Sequence, residues 1–256
     1  MNGYDPVWLD HLCLSGRYVW ARLSSAIAQV PVKATPIALV PRRHAGWWRC
    51  GPAAEAEPAL SGAAERLRAT LQQQGASFFE ELAERSGLLR TQAEAALGEL
   101  VARGLAHSDS FRGLRSLLVP EEKKRRYRGI SPYAIEEAGR WTLLAPPAPA
   151  GDVLPRLEHI AKVLLGRYGI VFRALLERET TLPSWQELLP VLRRMEARGD
   201  LRGGRFVSSQ YGEQFALPEA VESLRKIAKQ SGPDEICAVS AYDQDRKSTR
   251  LNSSHT

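Results

Sequence analysis

Five arginines fall close together in the stretch RRMEARGDLRGGRF: Arg193, Arg194, Arg198, Arg202 and Arg205. At this density guanidinium groups do one kind of chemistry well. They meet phosphate oxygens in a planar fork and displace the counterions condensed on a polyanion. Placed on a helix, some of them could also reach base edges in a groove. The competing reading is a solvated helix face with local Glu–Arg pairing. A second cluster, KKRRYR, holds Lys123, Lys124, Arg125 and Arg126, followed by Tyr127 and Arg128. It could grip a strand by charge while Tyr127 stacks on a base, or it could be a solvated linker.

Other chemistry finds no residues to carry it. There is no GxxxxGK[ST] loop for nucleotide phosphates, no GxSxG elbow and no HExxH. DEIC at 234–237 has no phosphate loop to serve. The histidines, His11, His44, His107, His159 and His255, are far apart in sequence and are expected not to cluster. Trp47, Trp48, Trp141 and Trp185 stand at strand and helix positions, where core packing is the ordinary role.

The elements that must position the arginines recur along the chain. In GASFFEELAERSGLLRTQAEAALGELVARGLAHSD, residues 75–109, Ser77 with Glu80 and Thr91 with Glu94 have capping-box spacing. Ala93, Ala96, Leu97, Leu100 and Val101 share one helical face, and Gly104 supplies a left-handed stop. With the amphipathic GAAERLRATLQQQG before them, these make three helices followed by a short extended stretch, the helix-turn-helix plan with a wing. The pattern returns at 156–207. RLEHIAKVLLGRYG, IVFRALLERE and SWQELLPVLRRMEARG read as the three helices, the last opened by Ser184 with Glu187. Gly203-Gly204 between extended runs signals a tight hairpin.

Gly75, Phe78 and Leu82 align with Gly169, Phe172 and Leu176. After one inserted residue, Leu97, Leu100 and Gly104 align with Leu192, Met195 and Gly199. On the last helix Leu188, Leu189, Leu192 and Met195 form the apolar arc, leaving Arg193, Arg194 and Arg198 outside it. Pro190 costs about 3 kcal/mol inside a helix, so a kink or a helix start is expected there. The matching earlier helix carries Gln92, Glu94 and Glu99 beside Arg90 and Arg103, a mix better suited to structure or to a protein face than to a polyanion.

A third copy begins part-way. WLDHLCLSGRYVWARL sets Leu9, Leu12 and Gly16 against Leu97, Leu100 and Gly104, with Asp5-Pro6 as cap and first turn. RYVWARL and TPIALVP read as strands. GPAAEAEPA, from residue 51, has linker composition, and 121–150 carries the basic run, a strand RWTLL and a Pro/Ala linker. The last twelve residues, 245–256, have no apolar period. One codon choice for Asp245 to His255 spells a sequencing-adapter read, so this tail is expected to be an artefact outside the fold.

Hydrophobic residues make up 44% and charged residues 25%, as in ordinary globular chains. The net charge of +6 falls to +4 without the tail, which permits a nucleic-acid partner without requiring one. Cys13, Cys50 and Cys237 lack zinc spacing and suit reduced thiols. No apolar run spans a membrane and the start does not read as a signal peptide, so a cytoplasmic protein is expected.

These blocks and their order resemble the C-terminal extension of the bacterial Lhr (large helicase-related) proteins. The resemblance rests on YDPVWLDHLCLSGRYVWARL, TPIALV, GASFFEEL, SDSFRGLRSLL, GRWTLL, RYGIVFRALL and RRMEARGDLRGGRFVSSQYGEQFALPEAVESLR, and spans residues 3–242. The family consists of superfamily 2 DNA helicases with an ATP-driven motor and a long winged-helix tail. The resemblance therefore implies a mainly α fold with small β wings, built as tandem winged-helix repeats and running into a C-terminal β-barrel. It divides the chain into part of one unit at 1–56, a unit at 57–120, a basic linker and strand at 121–150, a unit at 151–230 and the first barrel strand at 231–244.

The implied partner is single-stranded DNA, in repair, with the motor in cis. ATP and magnesium belong to that motor, and no cofactor is expected in this segment. Oligomerisation through the tail is compatible with the resemblance. The family tail also resembles winged-helix DNA glycosylases of the YcaQ/AlkZ type, but no catalytic residue carries over. Three readings stand at this level: a nucleic-acid-binding arm of a helicase, part of a glycosylase, or a tandem winged-helix interaction scaffold.

Overall fold

The computed structural model describes residues 5–23, 37–49, 59–119, 134–146, 153–177 and 182–229. Lys123, Lys124, Arg125 and Arg126, the strand expected at 231–244 and the tail at 245–256 lie outside the described residues. The architecture is helical with small antiparallel sheets, as the repeat pattern predicts.

The N-terminal piece comprises α1 (Pro6–Leu14), β1 (Tyr18–Ala21), β2 (Ala38–Pro41) and a short α2 (Ala45–Trp48). Asp5 caps α1 by accepting from the Val7 N–H at 2.9 Å, and Gly16 ends it at φ +72°. The strands pair antiparallel, Tyr18 opposite Pro41 and Ala21 opposite Ala38. The expected match of Leu12 to the fully buried Leu100 does not hold, because Leu12 is 37% exposed. Instead α1 turns Asp10 and Cys13 inward. Asp10 accepts from the Arg112 N–H at 2.9 Å and pairs with Arg115 at 2.6 Å, so a buried ion pair sets the rotation of the helix.

The first complete unit holds α3 (Gly62–Gln74), α4 (Phe79–Ser86), α5 (Arg90–Ala102), β3 (Ala106–Ser108), α6 (Phe111–Leu118) and β4 (Trp141–Leu143). Both helix starts differ from expectation. α4 begins after Phe78, whose N–H donates to Glu81 at 3.1 Å, because Ser77 is used in a backbone bridge to Trp141. α5 begins after Leu89, whose N–H donates to Gln92 at 3.1 Å, so Thr91 lies inside the helix. The left-handed Gly87 closes α4 so sharply that only Gly87, Leu88 and Leu89 separate the helices.

The second unit holds α7 (Val153–Tyr168), β5 (Ile170–Phe172), α8 (Arg173–Leu176), α9 (Trp185–Ala197), β6 (Arg202–Gly204), β7 (Gln214–Ala216) and α10 (Pro218–Lys229). IVFRALLERE is therefore not one helix. Gly169, at φ +71°, stops α7, and the run Ile-Val-Phe alternates in burial as a strand before a single helical turn. α9 starts as expected, with Ser184 and Glu187 reciprocally capped. It runs through Pro190, which lies on the exposed face, where water can satisfy the carbonyl freed four residues back.

The repeat is visible in both sheets. In the second unit the order is β5-β7-β6. In the first, the Ser77 bridge, β4 and β3 occupy the same three places. α5 and α9 end identically. The Gly104 N–H donates to Val101 and the Leu105 N–H to Leu100, while the Gly199 N–H donates to Glu196 and the Asp200 N–H to Met195. Both are Schellman ends, with glycine φ of +65° and +85°.

Candidate nucleic-acid interface

α9 buries Leu188, Val191, Leu192 and Met195 and turns Gln186, Pro190, Arg193, Arg194 and Ala197 to solvent. Its far end meets the wing. Gly203 and Gly204 do not form the tight turn expected of them, because they lie within β6, opposite Phe215 and Gln214. They are small because their neighbours come close. A Cβ on Gly203 would strike the Glu196 carboxylate, which accepts the Gly203 N–H at 3.0 Å, and one on Gly204 would strike the Phe206 ring. The wing is the nine-residue connection 205–213.

Gln214, only 1% exposed, holds that connection. Its Oε1 accepts from the N–H groups of Phe206 and Val207, both at 2.8 Å, and its Nε2 donates to the carbonyls of Val207 and Gln210, both at 2.9 Å. All four hydrogen-bonding sites of the amide are used.

The five arginines do not share one role. Arg193 makes a forked ion pair with Glu213, Nε to Oε1 at 3.0 Å and Nη2 to Oε2 at 2.8 Å, tying α9 to the far side of the wing. That bond raises the guanidinium pKa and lowers that of Glu213. Arg198 bonds Glu158 on α7 and Asp200, each at 2.9 Å. Glu158, bonded by Arg198 and then by Lys162, falls to about 2. Arg194, Arg202 and Arg205 are exposed, and no side-chain acceptor among the described residues engages them. Three cations are thus open to a polyanion, and two brace the surface that carries them.

The equivalent face of the first unit is occupied. Arg103 bonds Glu99 at 3.3 Å and the Ala59 carbonyl at 3.1 Å, and Arg90 pairs with Glu80 and Glu136. The buried Arg22, following β1, donates to the Ala102 carbonyl at the α5 C-terminus, where the helix dipole favours a cation. The Arg22 backbone carbonyl stands where a Cβ on Gly104 would go. In place of a short wing, α6 and a 3-10 turn (Ile135–Ala138) pack together between β3 and β4.

Two features were missed in the sequence. Tyr211, at the wing tip, is 86% exposed. Its signal was its place beside Gly212, at φ +91°, in a segment otherwise recognisable as a wing. Two of the histidines do meet, contrary to expectation. The rings of His44 and His159 are 3.9 Å apart, Trp47 stacks on His44 at 4.5 Å, and Trp48 edges His159 at 6.0 Å. Burial, then the neighbouring His44, pushes His159 down to about 4, and burial and Arg43 lower His44. This cluster fastens residues 42–48 to α7, a long-range contact that spacing along the chain could not reveal.

Among the described residues no helix is long and apolar enough to cross a membrane. Residues 150–236, which contain the α9 face and its wing, match the family model described as large helicase-related protein, winged-helix domain. Two curated relatives align across nearly the whole chain. The Lhr helicase/probable uracil glycosylase of Mycolicibacterium smegmatis is 27% identical over 91% of this chain and 16% of its own length. The Lhr helicase/uracil glycosylase of Escherichia coli is 27% identical over 90% of this chain and 16% of its own length. The chain thus spans about a sixth of the relatives it matches. Residues 150–236 thus match a winged-helix domain of large helicase-related (Lhr) proteins, and the chain as a whole is similar to Lhr helicases over about nine-tenths of its length.

Proposed function

We propose that this chain is a nucleic-acid-binding region from the C-terminal part of an Lhr-like helicase, and that α9 with its wing is its contact surface for single-stranded DNA. The observation that carries the reading is the contrast between the two units. Arg194, Arg202 and Arg205 stand open on α9 and the wing, while the matching end of α5 is covered by Arg22. Arg194, Arg202 and Arg205 bind phosphates, and Arg193 and Arg198 hold helix, wing and α7 in register. The basic run Lys123, Lys124, Arg125 and Arg126 adds a second, sequence-independent grip.

In the longer protein this arm serves an ATP- and magnesium-dependent motor in cis, acting in cytoplasmic DNA repair. The relatives' printed names also include uracil glycosylase. Under that activity the same arm holds the strand from which a base is excised, and no residue described here is assigned to the excision.

Photocrosslinking with an oligonucleotide containing 5-iododeoxyuridine tests the reading. Crosslinked peptides are expected from 185–216, with few from 90–108. Crosslinks concentrated on α5, or none above background, would favour the scaffold reading.

A further inference from the structure

The wing tip carries an aromatic ring that the arginine chemistry does not use. Tyr211 is 86% exposed, and its backbone is fixed on both sides. On one side the Gln210 carbonyl accepts from the buried Gln214 amide at 2.9 Å. On the other, Glu213 is forked by Arg193. Between these anchors only Tyr211 and Gly212 remain, and Gly212 takes a left-handed φ of +91° that turns the chain back. The ring is therefore presented by a short tip held at both ends. Ordering that would otherwise oppose binding is already in place in the free protein. Arg205 begins the same connection and Arg202 lies on the strand that leads into it, so cations with no partner among the described residues accompany the ring.

A flat ring with a polar hydroxyl, beside cations that hold a phosphate chain, suits one ligand class: the face of an unpaired nucleobase. Duplex bases have their faces covered by their neighbours and cannot offer them. We propose that Tyr211 is a base-stacking residue that gives this winged-helix unit its preference for single-stranded over double-stranded nucleic acid. This deepens the proposed function and rests on the α9 and wing surface being the binding face. Stacking of one base on an aromatic side chain contributes about 1–3 kcal/mol and tolerates any base.

The test uses the full chain and three fluorescein-labelled probes: a thymidine 20-mer, a 20-mer of abasic deoxyribose phosphates, and a 20-bp duplex. Affinity is read by anisotropy at fixed salt. Tyr211→Ala is expected to weaken thymidine 20-mer binding about tenfold, leaving the abasic and duplex affinities unchanged. Tyr211→Phe should retain wild-type binding, because the ring and not the hydroxyl makes the stack. Equal weakening on the thymidine and abasic probes, or no weakening on thymidine, would overturn the assignment.

The combined Arg194→Gln, Arg202→Gln and Arg205→Gln variant separates this from the reading beneath it. If it weakens binding to both single-stranded probes while Tyr211→Ala changes neither, only the stacking role fails. If it leaves the abasic probe bound as before, the binding face itself is misplaced.

Discussion

Gln214 is the residue on which the wing depends. Its amide uses every donor and acceptor it has on four backbone groups of the connection between β6 and β7. Replacing it by alanine leaves those groups to water or to nothing, and should destabilise the fold by about 1–3 kcal/mol. Hydrogen exchange should show where. Amides of 206–213 should exchange faster in Gln214→Ala, while those of α5 keep their protection, and uniform acceleration would contradict a local role. At this scale the sequence was partly readable. Side chains of the right type and spacing identified Ser184 and Glu187 as a cap. Asp200 lies two residues from Arg198, but nothing in the spacing showed that Glu213 would take up Arg193 or Glu158 Arg198, because those partners are brought in by the sheet and by α7.

The two Schellman ends make a controlled comparison between elements. Gly104 and Gly199 both hold left-handed φ, which an alanine resists by roughly 1–2 kcal/mol. Around Gly199 a Cβ meets nothing, whereas at Gly104 it meets the Arg22 backbone carbonyl. Gly199→Ala should therefore cost about 1–2 kcal/mol, and Gly104→Ala clearly more, since backbone must move. Equal costs in urea melts would mean that β1 does not seat on α5 as described.

The contact between α2 and α7 makes a pH prediction. His159 takes a proton at about 4 when folded and near 6.5 when unfolded, so the unfolded chain binds it first as pH falls. Stability should be full above 6.5 and decline towards 4. His159→Phe should flatten that decline. It should leave a separate loss below 4.5, where Glu158, held near 2 by Arg198 and Lys162, begins to protonate first in the unfolded state. Urea melts across pH 3.5–8 distinguish the two windows, and parallel curves for variant and wild type would contradict the assignment.

Most helices and the glycine stops were legible because each is written in neighbouring residues, whereas Ile170–Phe172, read as part of a helix, folds as β5. Helix starts were displaced where a strand claimed the expected cap, as at Ser77. The glycines of β6 were misread as a turn because close approach and turning call for the same residue.

Over the whole molecule, β1 divides two cores. Trp20 faces the first with Leu97, Leu100 and Trp141, while Val19 and Ala21 face the second with Ile160, Leu164 and Phe215. Trp20 is fully buried, and its indole N–H donates to the Ser110 carbonyl at 2.9 Å. The N-terminal piece thereby covers the C-terminal end of the first unit's third helix, while among the described residues none of it covers the matching end of α9; under the proposed function the two repeats are unequal as binding surfaces.

That inequality is measured most directly by anisotropy with a single-stranded oligonucleotide across a salt series. Neutralising Arg194, Arg202 and Arg205 with glutamine should reduce the magnitude of the log K against log salt slope by about 2, since each phosphate contact on a single strand contributes roughly 0.7. Arg90→Gln with Arg103→Gln should leave the slope nearly unchanged. Equal reductions from both sets, or no reduction from the first, would contradict α9 and its wing as the nucleic-acid face.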